Sequence, residues 1–510
     1  MAKPTNRTRK TPLEENIKHI KSKLSSCKNP PAEIVELVEA LSRTATVDPA
    51  KDVVIYASCS FPGPRRFSSL AYNNKNLYFY GGEHDDGKNA KAFSDTIIAN
   101  LNQLDSCKKL SSEVFPLLRS GHAMASFEGG FFIHGGEFLF DDINFCYNDL
   151  WFFDYAKKRW FEIELTGNVP AARSGHRMTY HQGIIFISCG YSMLPNGVIS
   201  IYHNDLYAIK PTTGECRQVN VQMKGRIFTP RSGCLLTSWN DKIIVLGGYS
   251  LLDLSENNLQ GSLSNEMWQS DISHIMRLFS EHSNQVIPAE LERIRWEKIP
   301  KTFFYRCAIA STVNKGLLYM FGGVIDDDRG GLNHQVTFFF NDVTCIDLAN
   351  KTFTSLSNKE QDATVTAFCW KNNIFEQVEI PVIELQRVYS KNKKTNASIA
   401  YKTIRSFEQS KLKVAFEELN MPIPRIGASI FYANKCIYLF GGSLEVSKKN
   451  MMLNDFWKFD LQTATWTLLK KSVEPALNKR SNGDKESESE SSDTSDESDS
   501  DDVELCSSED

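Results

Sequence analysis

The chain has 510 residues, of which 41% are hydrophobic and 24% are charged, a composition typical of soluble globular proteins. Its net charge of −4 is unevenly spread, because segment 484–510 holds thirteen acidic residues and one lysine, which leaves +8 on the remaining residues. No run approaches the roughly 18 apolar residues of a membrane helix, the basic first 28 residues lack a signal-peptide core, and the twelve cysteines include no Cys-x-x-Cys pair. These features favour an intracellular protein with reduced thiols, located in the cytoplasm and also in the nucleus.

Residues 1–51 are predicted to be a basic lead with two short helices. Segments 13–24 and 32–41 have amphipathic patterns, and Pro30-Pro31 between them suits a helix start. Neither segment is long enough to form a stable helix alone in water, so we expect both to dock or to remain loosely formed. Residues 1–12 are expected to be disordered.

A pattern of about 54 residues recurs along most of the chain. In its clearest copy, Arg-Ser-Gly-His at 119–122 is followed by Gly-Gly at 135–136, Asn-Asp-Leu-Trp at 148–151 and a tryptophan at 160. The next copy has Arg-Ser-Gly-His at 173–176, Cys-Gly at 189–190 and Asn-Asp-Leu-Tyr at 204–207. Six units are counted from their glycines, Gly81-Gly82, Gly135-Gly136, Gly190, Gly247-Gly248, Gly322-Gly323 and Gly441-Gly442.

Each unit contains short runs of branched and aromatic residues broken by turn formers, which is typical of β-strands. The second unit predicts four strands, at 123–127, 130–134, 149–154 and 159–165. Because four short strands cannot form a core alone, we expect the sheets to pack against one another around a ring. The sequence therefore predicts an all-β propeller of six four-stranded blades over 52–472, followed by a disordered tail at 473–510.

Three segments depart from an even array. Segment 357–413 has no clean repeat, and its runs at 365–370 and 376–383 leave open a degenerate seventh blade, although six is the preferred count. Segment 273–282 predicts a helix that projects from a blade. Segment 53–58 predicts an outer strand that closes the ring by pairing with the last blade.

The repeated motifs resemble kelch repeats, whose family fold is a β-propeller of four-stranded blades. The resemblance covers most of residues 60–470. The finer pattern is similar to the kelch domain-containing protein 4 family, on the strength of Gly81-Gly82-Glu83, Gly135-Gly136-Glu137, and the runs at 172–178 and 230–234. The long insert and the serine-acidic tail are similar too.

The repeated glycines and aromatic residues are interpreted as structural. Glycine pairs after apolar strands permit positive φ and close backbone approach, and no phosphate-binding glycine motif opens a helix here. Large rings at matched positions are predicted to pack between sheets. These residues are Trp151, Trp160, Trp268, Trp296, Trp457 and Trp466, together with Tyr207.

No catalytic residue, metal or cofactor is predicted. His122 and His176 occupy equivalent positions in successive units, which is not a ligand spacing along one element. The resemblance implies relatives with copper or iron, but the nearest matching run here, Glu137, Asp141 and Phe145, lacks the histidine ligand. No Gly-x-Ser-x-Gly elbow is present. A galactose-oxidase-like metalloenzyme remains the alternative from a different functional class.

One rim of the propeller is the predicted partner site. In an antiparallel blade, the connection into the first strand and the connection from the second to the third lie on the same face, and long loops on a rigid scaffold often carry binding function. The candidate residues are Arg66, Arg119, Arg173, Arg231, Arg306, Arg425, Glu83, Glu137, Asp141, Asp142 and Tyr191. The competing interpretation is that the arginines hold neighbouring loops through partly buried ion pairs.

The favoured function is a non-enzymatic scaffold that binds proteins through this rim. A substrate adaptor of a ubiquitin ligase is the alternative within binding, weakened because no BTB domain is recognised before the repeats. The acidic tail is expected to contact basic proteins, and an acid three residues later marks possible phosphorylation sites at Ser487, Thr494, Ser498 and Ser507. Neither membrane nor direct nucleic-acid binding is expected.

Overall fold

The computed structural model describes residues 53–473, apart from 86–89, 141–142, 194–199, 222–226, 254–258, 281–292, 301–305, 328–335, 358–363, 372–373, 382–383, 386–398 and 447–448. All of the described residues belong to one compact unit. The predicted N-terminal helices, the tail with its four phosphorylation sites, and Asp141 and Asp142 lie outside the described residues.

Within the described residues, six sheets follow one another along the chain, each built outward from an inner strand. The first has the order β2 (Ser69–Asn73), β3 (Asn76–Tyr80), β6 (Thr96–Asn100), β7 (Gln103–Ser111) and β1 (Ile55–Cys59). The second has β8 (Ala123–Phe127), β9 (Gly130–His134), β12 (Leu150–Asp154) and β13 (Arg159–Ile163). The third has β15 (Arg177–His181), β16 (Ile184–Ser188), β19 (Leu206–Lys210), β20 (Glu215–Gln218) and β14 (Thr166–Gly167). The four strands predicted in the second unit are thus confirmed.

The remaining three sheets repeat the plan with four strands each. The fourth has β22 (Leu235–Trp239), β23 (Lys242–Leu246), β26 (Met267–Asp271) and β28 (Glu297–Ile299). The fifth has β29 (Ala310–Asn314), β30 (Leu317–Phe321), β33 (Val343–Asp347) and β34 (Thr352–Ser355). The sixth has β38 (Ser429–Ala433), β39 (Cys436–Val446), β40 (Lys449–Asp460) and β41 (Thr465–Lys470). A short parallel pair, β21 (Asn220–Val221) with β27 (Arg293–Ile294), lies beside the third and fourth sheets.

Hydrophobic clusters join each sheet to the next, and the sixth to the first. Trp160 is a clear case, since its ring packs on Tyr80 of the first sheet while its indole N–H donates to Thr96 Oγ1 at 2.9 Å. The six repeat tryptophans and Tyr207 are all buried, as predicted. Because each sheet buries its aromatic residues only against its neighbours, the sheets form a closed β-propeller.

A β-hairpin follows the second strand of each sheet. The hairpins are β4 (Glu83–Asp85) with β5 (Ala90–Ala92), β10 (Glu137–Phe140) with β11 (Ile143–Cys146), β17 (Tyr191–Met193) with β18 (Ser200–Tyr202), β24 (Tyr249–Asp253) with β25 (Leu259–Leu263), β31 (Val324–Asp327) with β32 (Val336–Phe339), and the extended ends of β39 and β40. Isolated β-bridges connect the start of each hairpin to the residues that enter the inner strand, such as Ser120 to Glu137. Hairpins and entering segments therefore share one face, as predicted.

In its described residues, the insert after the fifth sheet extends a hairpin. Its strands β35 (Thr364–Lys371), β36 (Ile374–Pro381) and β37 (Lys402–Phe407) join β31 and β32 in one five-stranded sheet. A 3₁₀ turn (Gln409–Lys411) and a helix, which we call α2 (Leu412–Glu418), follow it. Phe416 of α2 packs against Phe368 and Phe407 of the insert sheet.

The expectation that segment 53–58 pairs with the last blade is wrong. Strand β1 pairs with β7 of its own sheet. The ring closes instead through side chains and loops, because β41 already supplies the outer strand of the sixth sheet. Phe61 lies 5.7 Å from Phe440 between ring centroids, and Asn454 Nδ2 donates to the carbonyl of Pro62 at 3.0 Å.

The predicted helix at 273–282 is present as α1 (Ser273–Ser280), but it does not project from its blade. Ile275 and Phe279 are buried in the cluster between the third and fourth sheets, and Lys210 Nζ donates to the carbonyl of Phe279 at 2.8 Å. Its apolar face is the physical reason, since exposing it to water would be unfavourable. Among the described helices, none has the length and apolar character to cross a membrane.

Candidate functional site

An arginine before the inner strand is bonded to the start of the third strand in each of the six sheets. In the second sheet, Arg119 donates to both carboxylate oxygens of Asp149 at 2.6 and 2.7 Å, and also to the carbonyl of Gly135 at 2.9 Å. The carbonyl acceptor always lies 16 residues after the arginine. We call each set an arginine clamp; the pairs are Arg65 with Asp95, Arg119 with Asp149, Arg173 with Asp205, Arg231 with Glu266, Arg306 with Asp342, and Arg425 with Asp455.

The arginine side chains of the clamps lie inside the protein, and their carboxylate partners are buried or partly exposed. The Arg119 side chain is 0% exposed, and its guanidinium carbon stacks 4.1 Å from the centroid of the Tyr147 ring. Burial alone would lower the pKa of Arg119 and raise that of Asp149, but each group's charge outweighs this effect on the other, so the pKa of Arg119 is raised and that of Asp149 is lowered. Both groups therefore stay charged, and the ion pair with Asp149 replaces the hydration that the buried guanidinium group has lost.

The prediction that these arginines contact a partner is therefore wrong. The buried side chains are those of Arg119, Arg173, Arg231, Arg306 and Arg425. The competing interpretation, in which the arginines are structural ion pairs, agrees with the geometry. Their carboxylate partners come from the third-strand motif rather than from the acidic hairpin residues. The sequence analysis thus did not identify the aspartate of Asn-Asp-Leu-Trp as the partner of the arginine.

The first unit also requires a correction of register. Arg65, and not Arg66, belongs to the clamp; Arg66 is 17% exposed and pairs with Glu83 and Asp85, each at 2.8 Å. The sequence does contain the signal for this assignment. The clamp arginine stands 16 residues before the first residue of the glycine pair in every unit, and that spacing selects Arg65.

The glycine pairs let successive sheets meet. Gly135 and Gly136 have φ values of 61° and 95°, and the N–H of Gly136 donates to the carbonyl of Arg173 in the next sheet at 2.9 Å. A Cβ on Gly135 would lie 2.7 Å from that same carbonyl oxygen. Cys189 takes the first position in the third unit with a φ of 68°. The clamp and the glycine pair thus form one junction, in line with the structural role predicted for these glycines.

A second ring lies one and two residues after the clamp arginines. The residue directly after each arginine bridges to the start of its hairpin, in the pairs Arg66–Glu83, Ser120–Glu137, Ser174–Tyr191, Ser232–Tyr249, Cys307–Val324 and Ile426–Ser443. The next residue has a left-handed backbone in every unit: Phe67, Gly121, Gly175, Gly233, Ala308 and Gly427. Backbone N–H groups of Gly175 and Gly233 donate to the equivalent carbonyls of the preceding sheets at 3.0 and 3.1 Å. We call these six residues and the six before them the channel mouth.

Polar contacts connect the hairpins around the channel mouth. Asn450 Nδ2 donates to Asp85 Oδ2 and Ser120 Oγ donates to Glu83 Oε2, both at 2.7 Å. The hydroxyl of Tyr191 donates to Glu137 Oε1. The predicted rim residues Glu83, Glu137 and Tyr191 are thus brought together here, half-buried. Such contacts hold the hairpins in place before any partner binds.

Three buried histidines lie beside the clamps. His134 Nδ1 is 3.0 Å from His176 Nε2, and His122 Nε2 is 2.7 Å from Ser69 Oγ. Burial, with the nearby arginine charges, lowers the pKa of His122 and of His134 to about 3, and lowers the pKa of His176 well below its usual value. These rings are therefore neutral near pH 7. In the part of the chain that the structure describes, no group of three or more His, Cys, Asp or Glu side chains could hold a metal ion.

Comparison with known proteins agrees with this architecture. Residues 51–248 match the KLHDC2/KLHL20/DRC7 Kelch-repeats domain. Kelch domain-containing protein 3 is 26% identical over 162 residues in Homo sapiens (30% of this chain, 40% of that protein) and 29% identical over 100 residues in Rattus norvegicus (20% and 24%).

Two further matches differ in how much of each chain they cover. The negative regulator of sporulation MDS3 of Candida albicans is 33% identical over 112 residues, which is 18% of this chain and 8% of that protein. The solved structure of YjhT has 12% identity and a TM-score of 0.44, and the match covers 80% of this chain and 98% of that one. The chain spans less than half the length of each of these sequence relatives. The narrower resemblance to the kelch domain-containing protein 4 family stays a prediction, whereas residues 51–248 match a kelch-repeat domain and the chain folds as a kelch-type β-propeller.

Proposed function

We propose that this protein is a non-enzymatic scaffold that binds another protein on the hairpin face of its propeller. One observation carries the proposal. The clamp arginine is the same residue in all six units, whereas the residue that follows it is Arg66, Ser120, Ser174, Ser232, Cys307 or Ile426. The frame is thus repeated in all six units, whereas the channel mouth has serine in three successive units and arginine, cysteine or isoleucine in the other three, an asymmetry expected of a surface that recognises one particular partner.

Exposed apolar side chains on the same face support the proposal. Leu139 on β10 is 55% exposed and Ile201 on β18 is 47% exposed. The two belong to the hairpins of the second and third sheets, which are neighbours. Aliphatic side chains held on braced hairpins contribute to binding with little loss of conformational entropy.

The test is affinity purification from cells with quantitative mass spectrometry. We expect Leu139→Asp with Ile201→Asp to reduce recovery of the specific partner proteins by about 10-fold or more, the loss of about 1.4 kcal/mol or more that a hot spot gives. Val313→Asp is the matched control, because Val313 is also exposed, at 37%, but lies at the far end of inner strand β29. Equal recovery with both variants would contradict binding on the hairpin face.

A further inference from the structure

The junction between the third and fourth sheets differs from the preceding ones at two positions. The first glycine of the pair, present in the other five units, is replaced by Cys189, which keeps the left-handed backbone with a φ of 68°. Three residues after the clamp arginine, the fourth unit has Cys234 where the second and third units have His122 and His176. Both cysteines are 0% exposed and belong to the same hydrophobic cluster.

Comparison with the preceding junction shows how the two cysteines are placed. Between the second and third sheets, a Cβ on Gly135 would lie 2.7 Å from Cε1 of His176. The side chain of Cys189 begins at the corresponding position and meets the smaller side chain of Cys234, so that the two thiols are hydrogen-bonded to each other. The change from glycine to cysteine in one sheet is thus matched by a change from histidine to cysteine in the next.

The hydrogen bond makes the two thiols chemically different. The bond from the Cys189 thiol lowers the pKa of Cys234 against the opposing effect of burial, and the charges of Arg177 and Arg231 lower it further. Burial, together with the same hydrogen bond, raises the pKa of Cys189 well above its usual value. Because the thiolate is the nucleophile in thiol oxidation, Cys234 is the thiol of the pair that reacts first.

The pair lies directly beneath the channel mouth. Cys234 follows the mouth residue Gly233, which is partly exposed and at which an added Cβ would have no atom closer than 3.6 Å. One residue therefore separates the pair from an open part of the mouth. Local opening of this single layer would expose the thiols to an oxidant as small as hydrogen peroxide.

We propose that Cys189 and Cys234 are an oxidation site, at which hydrogen peroxide forms a disulfide bond that cross-links the third and fourth sheets. The sulfur of Cys234 attacks one peroxide oxygen, which breaks the O–O bond, forms a sulfenic acid and releases one water. The sulfur of Cys189 then attacks the sulfenic sulfur, forms the S–S bond and releases a second water. The two thiols thus lose two electrons and two protons to one peroxide molecule. This site is independent of the proposed binding function.

The cross-link would strengthen a junction that backbone hydrogen bonds already hold. The N–H of Gly190 donates to the carbonyl of Arg231 at 2.8 Å, and the N–H of Gly233 donates to the carbonyl of Gly175 at 3.1 Å. A disulfide between residues 189 and 234 also restricts the unfolded chain, so it stabilises the folded state. We expect oxidation to raise the melting temperature by about 5 °C.

The test treats the reduced full-length chain with hydrogen peroxide near pH 7.5, alkylates the remaining thiols, and maps disulfides by mass spectrometry after digestion without reductant. The peroxide concentration is raised until the partly exposed Cys59 is oxidised, which shows that the oxidant is effective. We expect the peptide that links Cys189 to Cys234 to be the main disulfide product. The rise in melting temperature should disappear when dithiothreitol is added.

Two serine variants complete the test. Cys234→Ser removes one sulfur of the pair and should show neither the linked peptide nor the rise in melting temperature. Cys345→Ser is the matched control, because Cys345 is also buried but lies in the cluster between the fifth and sixth sheets, so this variant should respond as the wild type does. Oxidised Cys59 without a link between Cys189 and Cys234, a different main disulfide, or a rise that persists in Cys234→Ser would overturn the inference.

Discussion

The arginine clamps and the channel mouth are neighbours in sequence but differ in nearly every physical respect. Arg119 is buried and fully bonded within its sheet, and the next residue, Ser120, belongs to a ring in which each unit has its own bridging pair. The clamp repeats the same contacts in every unit, and these contacts tie the first strand of each sheet to the third. The mouth repeats its backbone conformation in all six units, but its side chains are the same only in the second, third and fourth units. In this propeller a shift of one residue separates the buried ion pairs from the surface that we propose for binding.

Arg65 and Arg66 show the contrast most directly. Arg65 is in a clamp with Asp95, and Arg66 pairs with Glu83 and Asp85 at the surface of the mouth. Both are arginines with carboxylate partners, so the type of interaction is the same. Their surroundings differ, because Arg65 is buried from solvent and Arg66 is partly exposed. Measurements that distinguish these two environments therefore test whether the clamps and the channel mouth have different roles.

Acid should disrupt the clamp layer, and this is the largest effect that we expect. An unfolded histidine has a pKa of about 6.5, whereas His122 and His134 have pKa values of about 3 and His176 a pKa well below its usual value. Between those pH values the unfolded chain binds more protons, so the stability that is fully present above about pH 6.5 is lost as the pH falls. Three such rings contribute about 4 kcal/mol per pH unit.

Urea unfolding between pH 8 and pH 5 measures this loss. The charges that face these rings are those of Arg119, Asp149, Arg173 and Arg177, and the arginines oppose protonation. His134→Gln should remove about one third of the slope below pH 6.5. The range from about pH 7.5 to 8 is the internal control, since the histidines of the unfolded chain are also almost entirely neutral there. A stability that is unchanged from pH 7 to pH 5 would contradict the buried, neutral assignment.

The second prediction compares Arg65→Ala with Arg66→Ala. Removing the buried guanidinium leaves the carboxylate of Asp95 without its partner and should lower the free energy of unfolding by about 3–5 kcal/mol. Removing the partly exposed guanidinium of Arg66 should lower the free energy of unfolding by about 1 kcal/mol or less. Chemical denaturation of both variants at pH 7 gives the two values. Equal losses would refute the division between clamp and mouth.

The sequence predicted the parts of the fold that depend on local patterns. The strands of the second unit and the helix at 273–282 follow from the spacing of apolar residues and turn formers, so they were found with nearly correct ends. The insert was different. Its strands were recognised, but their partners β31 and β32 could not be, because pairing depends on which edge is free in three dimensions. For the same reason, β1 was assigned to the wrong blade.

The site was predicted only in outline. The shared face of hairpins and entering segments follows from strand order, and Glu83, Glu137 and Tyr191 do meet there. Exposure does not follow from strand order, and the guanidinium groups are buried. Phe67 had no signal within a single unit; only alignment of all units on the clamp arginine shows that it stands where four units have glycine.

The smallest expected effect concerns the glycine that separates the two layers. Gly136 has a φ of 95°, and a Cβ there would lie 2.7 Å from the carbonyl oxygen of Ser120 in the mouth and 2.8 Å from the Cβ of His122 beside the clamp. Gly183, in the turn before β16, has a similar φ of 89° but nothing within 4 Å of the added carbon. The two positions share the backbone strain and differ in the contact.

Replacement of each by alanine isolates that contact. Gly183→Ala should lower the free energy of unfolding by about 1–2 kcal/mol, the strain of a left-handed alanine. Gly136→Ala should lower the free energy of unfolding by about 1–3 kcal/mol more than Gly183→Ala does, because its methyl group must displace backbone rather than a flexible side chain. Denaturant unfolding of both variants gives the difference directly. A zero difference would mean that clamp and mouth can move apart freely, in which case the mouth could not be held in place by the frame beneath it.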